Sequence, residues 1–270
     1  MLLSAVIQLD SARPGFVPRD QGRAVQAWFM RQIERYDPAL SAALHAHDGS
    51  KPYTCSSLNG FRPARRPDSL ELRLGEPGWI RITTFHEILS ALLWDRILPE
   101  LPEVLALGDA TLRIHWATVD RERHPWANHI SPRTLLESHL SAPGDPQRHF
   151  GLRLASPTTF KQRERHMAVP LPELMIVGWL RRWNDHCGIQ LPEDMVDYVA
   201  QNVVLSRFQL QTEAVRFGQA VTIGCVGTCT YHVLDGDPYR LRLLQALADF
   251  SFYCGTGHRT TRGMGQTQPQ

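Results

Sequence analysis

"FYCGTGHRTTRGMGQ" occupies positions 252–266, and only Thr267–Gln270 follow it. The preceding stretch, "DPYRLRLLQALADF" (237–250), sets Leu241, Leu244, Leu247 and Ala248 at helical spacing, behind an Asp237 cap and a first-turn Pro238. Gly255 is placed to end that helix. The glycine-dense stretch therefore follows a helix rather than opening one, and a short last strand is all that the remaining residues allow. A dinucleotide fingerprint needs the opposite order, strand then helix. A Walker loop needs Gly-Lys-Ser/Thr, which is absent. Two readings remain. One is a plain glycine-rich turn. In the other, Gly255, Gly257, Gly263 and Gly265 admit a polyanion to the backbone amides while His258, Arg259 and Arg262 add charge. Such a grip suits a phosphodiester better than a free nucleotide, because nothing nearby is built to hold a triphosphate.

Working outward, "HFGLRLAS" (149–156) reads as a strand and "LPELMIVGWLRRWNDHC" (171–187) as a helix closed by Gly188. "VVLSRFQLQTEAV" (203–215) and "VTIGCVGTCTYHV" (221–233) read as a strand pair joined near Gly218. The second of these alternates Val221, Ile223, Cys225, Cys229, Tyr231 and Val233 on one face, so its cysteines read as core rather than metal ligands. Trp179 and Trp183, on successive helical turns, read as core too.

The first half has the same rhythm. "LLSAVIQLD" (2–10) is a strand, and "RAVQAWFMRQIERY" (23–36) is a helix with Val25, Phe29, Ile33 and Tyr36 on one face. Asp37-Pro38 opens a short helix, "PALSAALH", and a turn at Asp48-Gly49 leads into the β-like "YTCSSL" (53–58). "SLELRL" (69–74) and "WIRITTF" (79–85) flank a turn at Gly75–Gly78. "HEILSALLWDRIL" (86–98) is a helix with Ile88, Leu92 and Leu93 inward, and "ATLRIHWATV" (110–119) is a strand. Two successive β-α-β-β-α-β units predict an α+β chain of two tandem ferredoxin-like (RRM-like) domains, 1–122 and 123–270. Their boundary falls in "RERHPWANHISPRTLL" (121–136).

Composition narrows the classes. A net charge of +2 excludes a simple polycation, yet of 29 cationic Lys and Arg residues only Lys51 and Lys161 are lysines. Arginine presents a planar fork that matches phosphate and stacks on bases. Five cysteines form no C-x-x-C pair. His124, His129, His139 and His149 lack the spacing of a zinc site, so neither metal nor cofactor is expected. The opening "MLLSAVIQLDSA" has no basic n-region, and no apolar run reaches membrane-spanning length. The expectation is a cytoplasmic protein without a membrane partner.

A β-α-β-β-α-β half ending in helix, "GTGHRTTRGMGQ" and a short strand resembles the C-terminal glycine-rich motif of the RAMP superfamily. Within it, the chain resembles the CRISPR repeat-processing endoribonucleases. A second match is "DPALSAALHAHDGSKPYTCSSL" (37–58): after the first helix, relatives carry a histidine, a lysine about six residues on, then an aromatic-Thr-x-Ser strand. A weaker third match is "HPWAN" with "FGLRLASPTTFKQRERHMAVPLPELM" (150–175). The resemblance implies metal-independent cutting of precursor CRISPR RNA within each repeat, by 2′-OH attack, leaving a 2′,3′-cyclic phosphate and a 5′-hydroxyl. The partner it implies is repeat RNA, stem-loop or unstructured. A non-catalytic RNA-binding subunit, in company with other CRISPR effector subunits, is the alternative.

Cutting RNA without metal requires moving a proton from the 2′-OH, stabilising the phosphorane and protonating the leaving 5′-oxygen; histidine suits such work near neutral pH. His45 falls near the C-terminus of the short helix, the end that favours cations. The resemblance gives His45 the acid/base role and Lys51 a supporting charge, with His47 as the alternate imidazole. Relatives also carry a tyrosine fifteen residues before the histidine, and here that position is Met30; Tyr36 is nearby but faces differently. In "FKQRERH" (160–166), Lys161, Arg163 and Arg165 alternate and share a face if the chain is extended. The resemblance makes them the lining of a groove for RNA.

Overall fold

A computed structural model describes every residue except Asp48 and Pro67. The chain divides into two compact units, Met1–His129 with Thr261–Gly263, and Ile130–Thr260 with Met264–Gln270.

In the first unit, β1 (Leu2–Ser11), α1 (Gly22–Tyr36), α2 (Pro38–Ala46), β3 (Tyr53–Cys55), β6 (Pro77–Thr84), α3 (Glu87–Leu92) and β8 (Ala110–Thr118) trace one β-α-β-β-α-β pass. The sheet order β3-β6-β1-β8 is that of a ferredoxin-like fold; β7 (Val104–Leu107) adds an edge, and β9 (Asn128–Ile130) pairs beside β1. A separate small sheet holds β2 (Gly15–Pro18), β4 (Arg62–Pro63) and β5 (Ser69–Leu72). The segments flanking Gly75–Gly78 thus join different sheets.

β1 lies between β6 and β8 and is buried on both faces, one of them apolar and the other mixed with Ser4, Gln8 and Asp10. Leu3, Ala5, Ile7 and Leu9 meet Val25, Phe29 and Ile33 of α1 in the main core. On the other face, Ser4 Oγ donates to the Trp126 carbonyl. The fully buried Arg81 donates through Nε to both Ser4 Oγ and that carbonyl, and lies over the Trp126 ring at 4.8 Å. α2 starts as its sequence requires, with the Asp37 side chain accepting from the Leu40 amide and Pro38 in the first turn.

The helix at 86–98 departs from expectation. α3 passes into a π turn at Leu93–Ile97, and its inward line is Leu89, Leu93 and Ile97, while Ile88 is 59% exposed. Apolar residues stand all round this segment, so its own periodicity does not fix the phase; packing does.

The second unit repeats the plan. β10 (His149–Thr158), α5 (Pro172–His186), β13 (Val203–Phe217), β14 (Ala220–Val233), α7 (Pro238–Cys254) and β15 (Thr267–Pro269) give the sheet order β13-β14-β10-β15. α4 (Pro132–Leu140) and α6 (Met195–Asn202) are additions, and β11 (Phe160–Gln162) with β12 (Arg165–Met167) forms a separate hairpin. Trp179 and Trp183 are fully buried, as are Cys225, Cys229, Tyr231 and Val233. Val221 and Ile223 are exposed instead, because β10 pairs with β14 only as far as Cys225 and the hairpin runs on past that edge. Among the described residues, no helix is long and apolar enough to cross a membrane.

Candidate active site

His45 stands on the exposed last turn of α2. A carbonyl can only accept, so the contact of 2.9 Å between its Nδ1 and the Ser41 carbonyl places the proton on Nδ1. Nε2 is then the nitrogen left to exchange protons, as a lone pair in the neutral ring or as N–H in the cation. Lys51 follows six residues on; the turn expected at Asp48-Gly49 includes Asp48, which lies outside the described residues. Its ammonium donates to the Leu44 carbonyl at 2.5 Å and to the His47 carbonyl. Both carbonyls belong to the C-terminal end of α2, where the helix supplies no further turn of amides, so Lys51 acts first as a helix cap that fixes the turn carrying His45. His47 is the C-cap residue and is also exposed.

Met30 is buried in α1, where its Sδ accepts from the Tyr53 hydroxyl at 3.3 Å. That hydroxyl accepts in turn from Gln26 Nε2 at 3.1 Å, and burial pushes the Tyr53 phenol well above its ordinary range. Tyr36 donates to Glu100 Oε2 at 2.9 Å. Gln26 continues the chain of bonds, donating to Thr261 Oγ1 at 3.3 Å and accepting from Arg262 Nε at 3.2 Å. The first unit therefore joins α1, β3 and the three tail residues Thr261–Gly263 in one polar network.

The glycine-rich stretch is tightly built rather than open. Gly263 donates to the Cys55 carbonyl at 3.0 Å and extends the β3 line through a parallel bridge with Ser56. It also sits so close to Gly22 that a Cβ on Gly22 would lie 2.3 Å from the Arg262 carbonyl carbon. In the second unit, a Cβ on Gly257 would fall 2.3 Å from the Thr159 oxygen, and one on Gly265 would fall 2.1 Å from the Thr256 oxygen. Both have positive φ, at +80° and +69°. The amides of Thr256, His258, Gly263, Gly265 and Gln266 donate to Gly265, Thr159, Cys55 and Pro157 carbonyls and to Ser156 Oγ. These glycines thus admit the protein's own backbone, and those five amides are spent within the fold instead of facing an anion. Arg262 is exposed, and His258 and Arg259 are half-buried.

Arg182, which the sequence did not single out, organises this loop. Its guanidinium donates to the carbonyls of Cys254 at 3.2 Å, Gly255 at 2.9 Å and Gly257 at 2.6 Å. Trp179 Nε1 adds a bond of 3.1 Å to Thr256 Oγ1. Nothing in "GWLRRWND" marks Arg182 over its neighbour Arg181; only the approach of α5 to the end of α7 does. Gly22 and Gln26 were equally silent, since their partners lie some 240 residues away in sequence.

Lys161, Arg163 and Arg165 do not form one extended face. The chain reverses at Arg163, whose φ is +52°, and the pairs across the hairpin are Lys161 with His166 and Gln162 with Arg165. Cross-strand partners share a face and neighbours alternate, so Lys161 and Arg165 point to opposite sides. The His166 ring lies 5.5 Å from that of His258.

Among the described residues, no three His, Cys, Asp or Glu side chains come together as a metal-holding group. Residues 152–267 match the family model described as CRISPR-associated endoribonuclease Cas6, and residues 1–137, more than half of the chain, match the CRISPR Cas6 N-terminal domain. The chain belongs to the Cas6 family. Family membership makes it a CRISPR-associated endoribonuclease. Among solved structures, Cas6 (TTHB231) of Thermus thermophilus, as a product complex, superposes with a TM-score of 0.82 at 24% identity over 100% of both chains. Cas6 (TTHA0078), also as a product complex, gives 0.80 at 25% identity over 100% of this chain and 99% of that one. A RAMP protein described as binding different RNA substrates gives 0.63 at 13% identity, covering 99% of each chain. No match was found among the curated proteins.

Proposed function

We propose that this Cas6-family protein cuts precursor CRISPR RNA within its repeats, without a metal ion, by attack of a ribose 2′-oxygen on the adjacent phosphorus. As the P–O5′ bond breaks, the products carry a 2′,3′-cyclic phosphate and a 5′-hydroxyl. One proton must leave the 2′-OH and one must reach the departing 5′-oxygen, and His45 Nε2 is the atom assigned to that transfer. The observation that carries this reading is the Nδ1 bond of the exposed His45 ring to the Ser41 carbonyl, which orients the ring and commits Nε2 to proton exchange. Lys51 holds the turn in place, and repeat RNA is the partner. Exposed Arg262 and half-buried His258 supply charge from the loop, and the hairpin carrying Lys161, Arg163 and Arg165 supplies more.

The test uses repeat RNA in excess EDTA, beside a substrate with a single 2′-deoxy nucleotide at the cut. Cutting of the first and not of the second is expected. His45→Ala should slow cutting by about 10²- to 10⁴-fold with RNA affinity retained, whereas His47→Ala should stay within a few-fold of the parent protein. Loss of cutting in EDTA would refute metal independence, and an active His45→Ala variant would refute the assignment.

A further inference from the structure

Arg259 was expected to meet RNA phosphate, yet its side chain is committed elsewhere. The β13–β14 hairpin extends beyond the sheet by five paired rungs, from Glu213–Gly224 to Phe217–Ala220, because β10 stops pairing at Cys225. That overhang is about 17 Å of two-stranded ribbon, a structure that is marginal unless something holds it. Its root is seated: Gly224 lies so close to the chain at Pro157–Thr158 that a Cβ there would be 2.7 Å from the Thr158 nitrogen. Near its tip the ribbon meets Arg259. The guanidinium lies 4.4 Å from the centre of the Phe217 ring on β13, and Nη1 donates at 2.8 Å to Thr222 Oγ1 on β14. Thr222 is buried, although it lies on a segment whose neighbours Val221 and Ile223 are exposed. Val215 pairs with Thr222, and Phe217 is the next residue on the same face, so one side chain grips the same face of both strands.

Arg259 reaches this position with φ at +61°, a left-handed conformation that disfavours a residue with a side chain. The loop holds it there, for the neighbouring His258 amide is bonded to the Thr159 carbonyl at 2.7 Å. A planar guanidinium can lie flat on a ring while an N–H at its edge donates, whereas a lysine ammonium is a compact point charge with no flat face to stack.

We propose that Arg259 is a positioning residue that latches the overhanging tip of the β13–β14 hairpin to the glycine-rich loop, so that hairpin and loop meet RNA as one fixed surface. This rests on the reading of the protein as a repeat-cutting ribonuclease, but the latch itself can be measured without RNA. The outward side of the latched ribbon presents Ala214, Arg216, Val221 and Ile223, an apolar strip with one cation.

The experiment compares Arg259→Ala, Arg259→Lys, Phe217→Ala and Phe217→Leu in the full chain. Amide hydrogen exchange of Phe217–Val221 is measured without RNA, and single-turnover cutting and affinity across a salt series are measured with repeat RNA. The latch requires faster exchange at the tip in all four variants. It also requires cutting to fall by about 10- to 10²-fold, the scale of an ångström-sized misplacement, with the salt slope unchanged. A double variant Arg259→Ala/Phe217→Ala should be no worse than the poorer single one. Phe217→Leu keeps bulk without the ring face, so it guards against simple misfolding. The proposal is overturned if tip exchange is unchanged in Arg259→Ala. It is equally overturned if Arg259→Ala lowers the salt slope by about one phosphate contact while Arg259→Lys restores it and Phe217→Ala behaves as the parent. Should the parent protein fail to cut repeat RNA, the functional reading falls, and the exchange data still decide the latch.

Discussion

Replacing Gly22 by alanine tests whether the tail is seated on α1. In an exposed helix the change would stabilise, by up to about 1 kcal/mol. Here the new Cβ would lie 2.3 Å from the Arg262 carbonyl carbon and oxygen and 2.4 Å from the Gly263 nitrogen. Carbon atoms pack comfortably at about 3.5–4.0 Å, so the tail must retreat by more than an ångström. Overpacking of that kind costs about 1–3 kcal/mol. The retreat also breaks the Gly263 bond to the Cys55 carbonyl, worth about 1 kcal/mol. Set against the helix gain, the net expectation is destabilisation by about 1–3 kcal/mol, read by urea unfolding. Exchange protection at Thr261–Gly263 should fall, and so should RNA cutting. Gly178→Ala in α5 is the control, because nothing lies within 4 Å of its would-be Cβ, and it should gain up to about 1 kcal/mol. A Gly22→Ala protein as stable as the parent, with unchanged tail protection, would refute the seating of the loop on α1.

Lys51→Met should cost about 1 kcal/mol in urea unfolding by uncapping α2, and should slow cutting with little change in RNA affinity; equal stability would show that the cap is idle. Asp10 accepts from Arg113 at 2.9 Å on both oxygens and lies 2.9 Å from His115, and the Arg113 bond, ahead of the His115 bond, holds its carboxyl below the usual range. A depressed carboxyl stabilises the fold above its unfolded value of about 4 and loses that contribution as pH falls through the folded value. Asp10→Asn should therefore destabilise at pH 7 and converge with the parent as pH falls through the lowered folded value, and a pH-independent difference in unfolding free energy would contradict this. In the β11–β12 hairpin, Lys161→Ala and Arg165→Ala should differ in their effect on the salt slope, one near a full phosphate contact and the other near none, because the two side chains point to opposite faces. Arg163→Ala with Arg165→Ala should weaken binding and flatten the slope, and unchanged affinity across the salt series would remove Arg163 and Arg165 from the RNA surface.

Much of the fold was written locally. Alternation and helical spacing gave the two β-α-β-β-α-β passes, and Asp37-Pro38 and Asp237-Pro238 gave two helix starts that the structure keeps, each with the aspartate side chain accepting a first-turn amide. These features are legible because capping and strand alternation involve residues within a few positions of one another. Where the apolar residues ring a segment, as from Ile88 to Leu98, the local pattern has no phase, and tertiary packing chose Leu89 over Ile88. A run of alternating cations likewise cannot announce a reversal at Arg163, which depends on a backbone conformation and not on side-chain type.

That a glycine-rich loop with His258, Arg259 and Arg262 follows a helix, and that a histidine ends a short helix in the first half of the chain, can be read from neighbouring residues alone. What those residues touch cannot, and came from long-range packing. It turned the glycines into seats for Gly22, Thr159 and Thr256, gave the loop carbonyls to Arg182, and set Lys51 on the end of α2. The physical reason is that each of these choices is a contact between backbone groups or side chains distant in sequence, and steric fit and hydrogen-bond satisfaction at such contacts exist only once the chain has closed on itself.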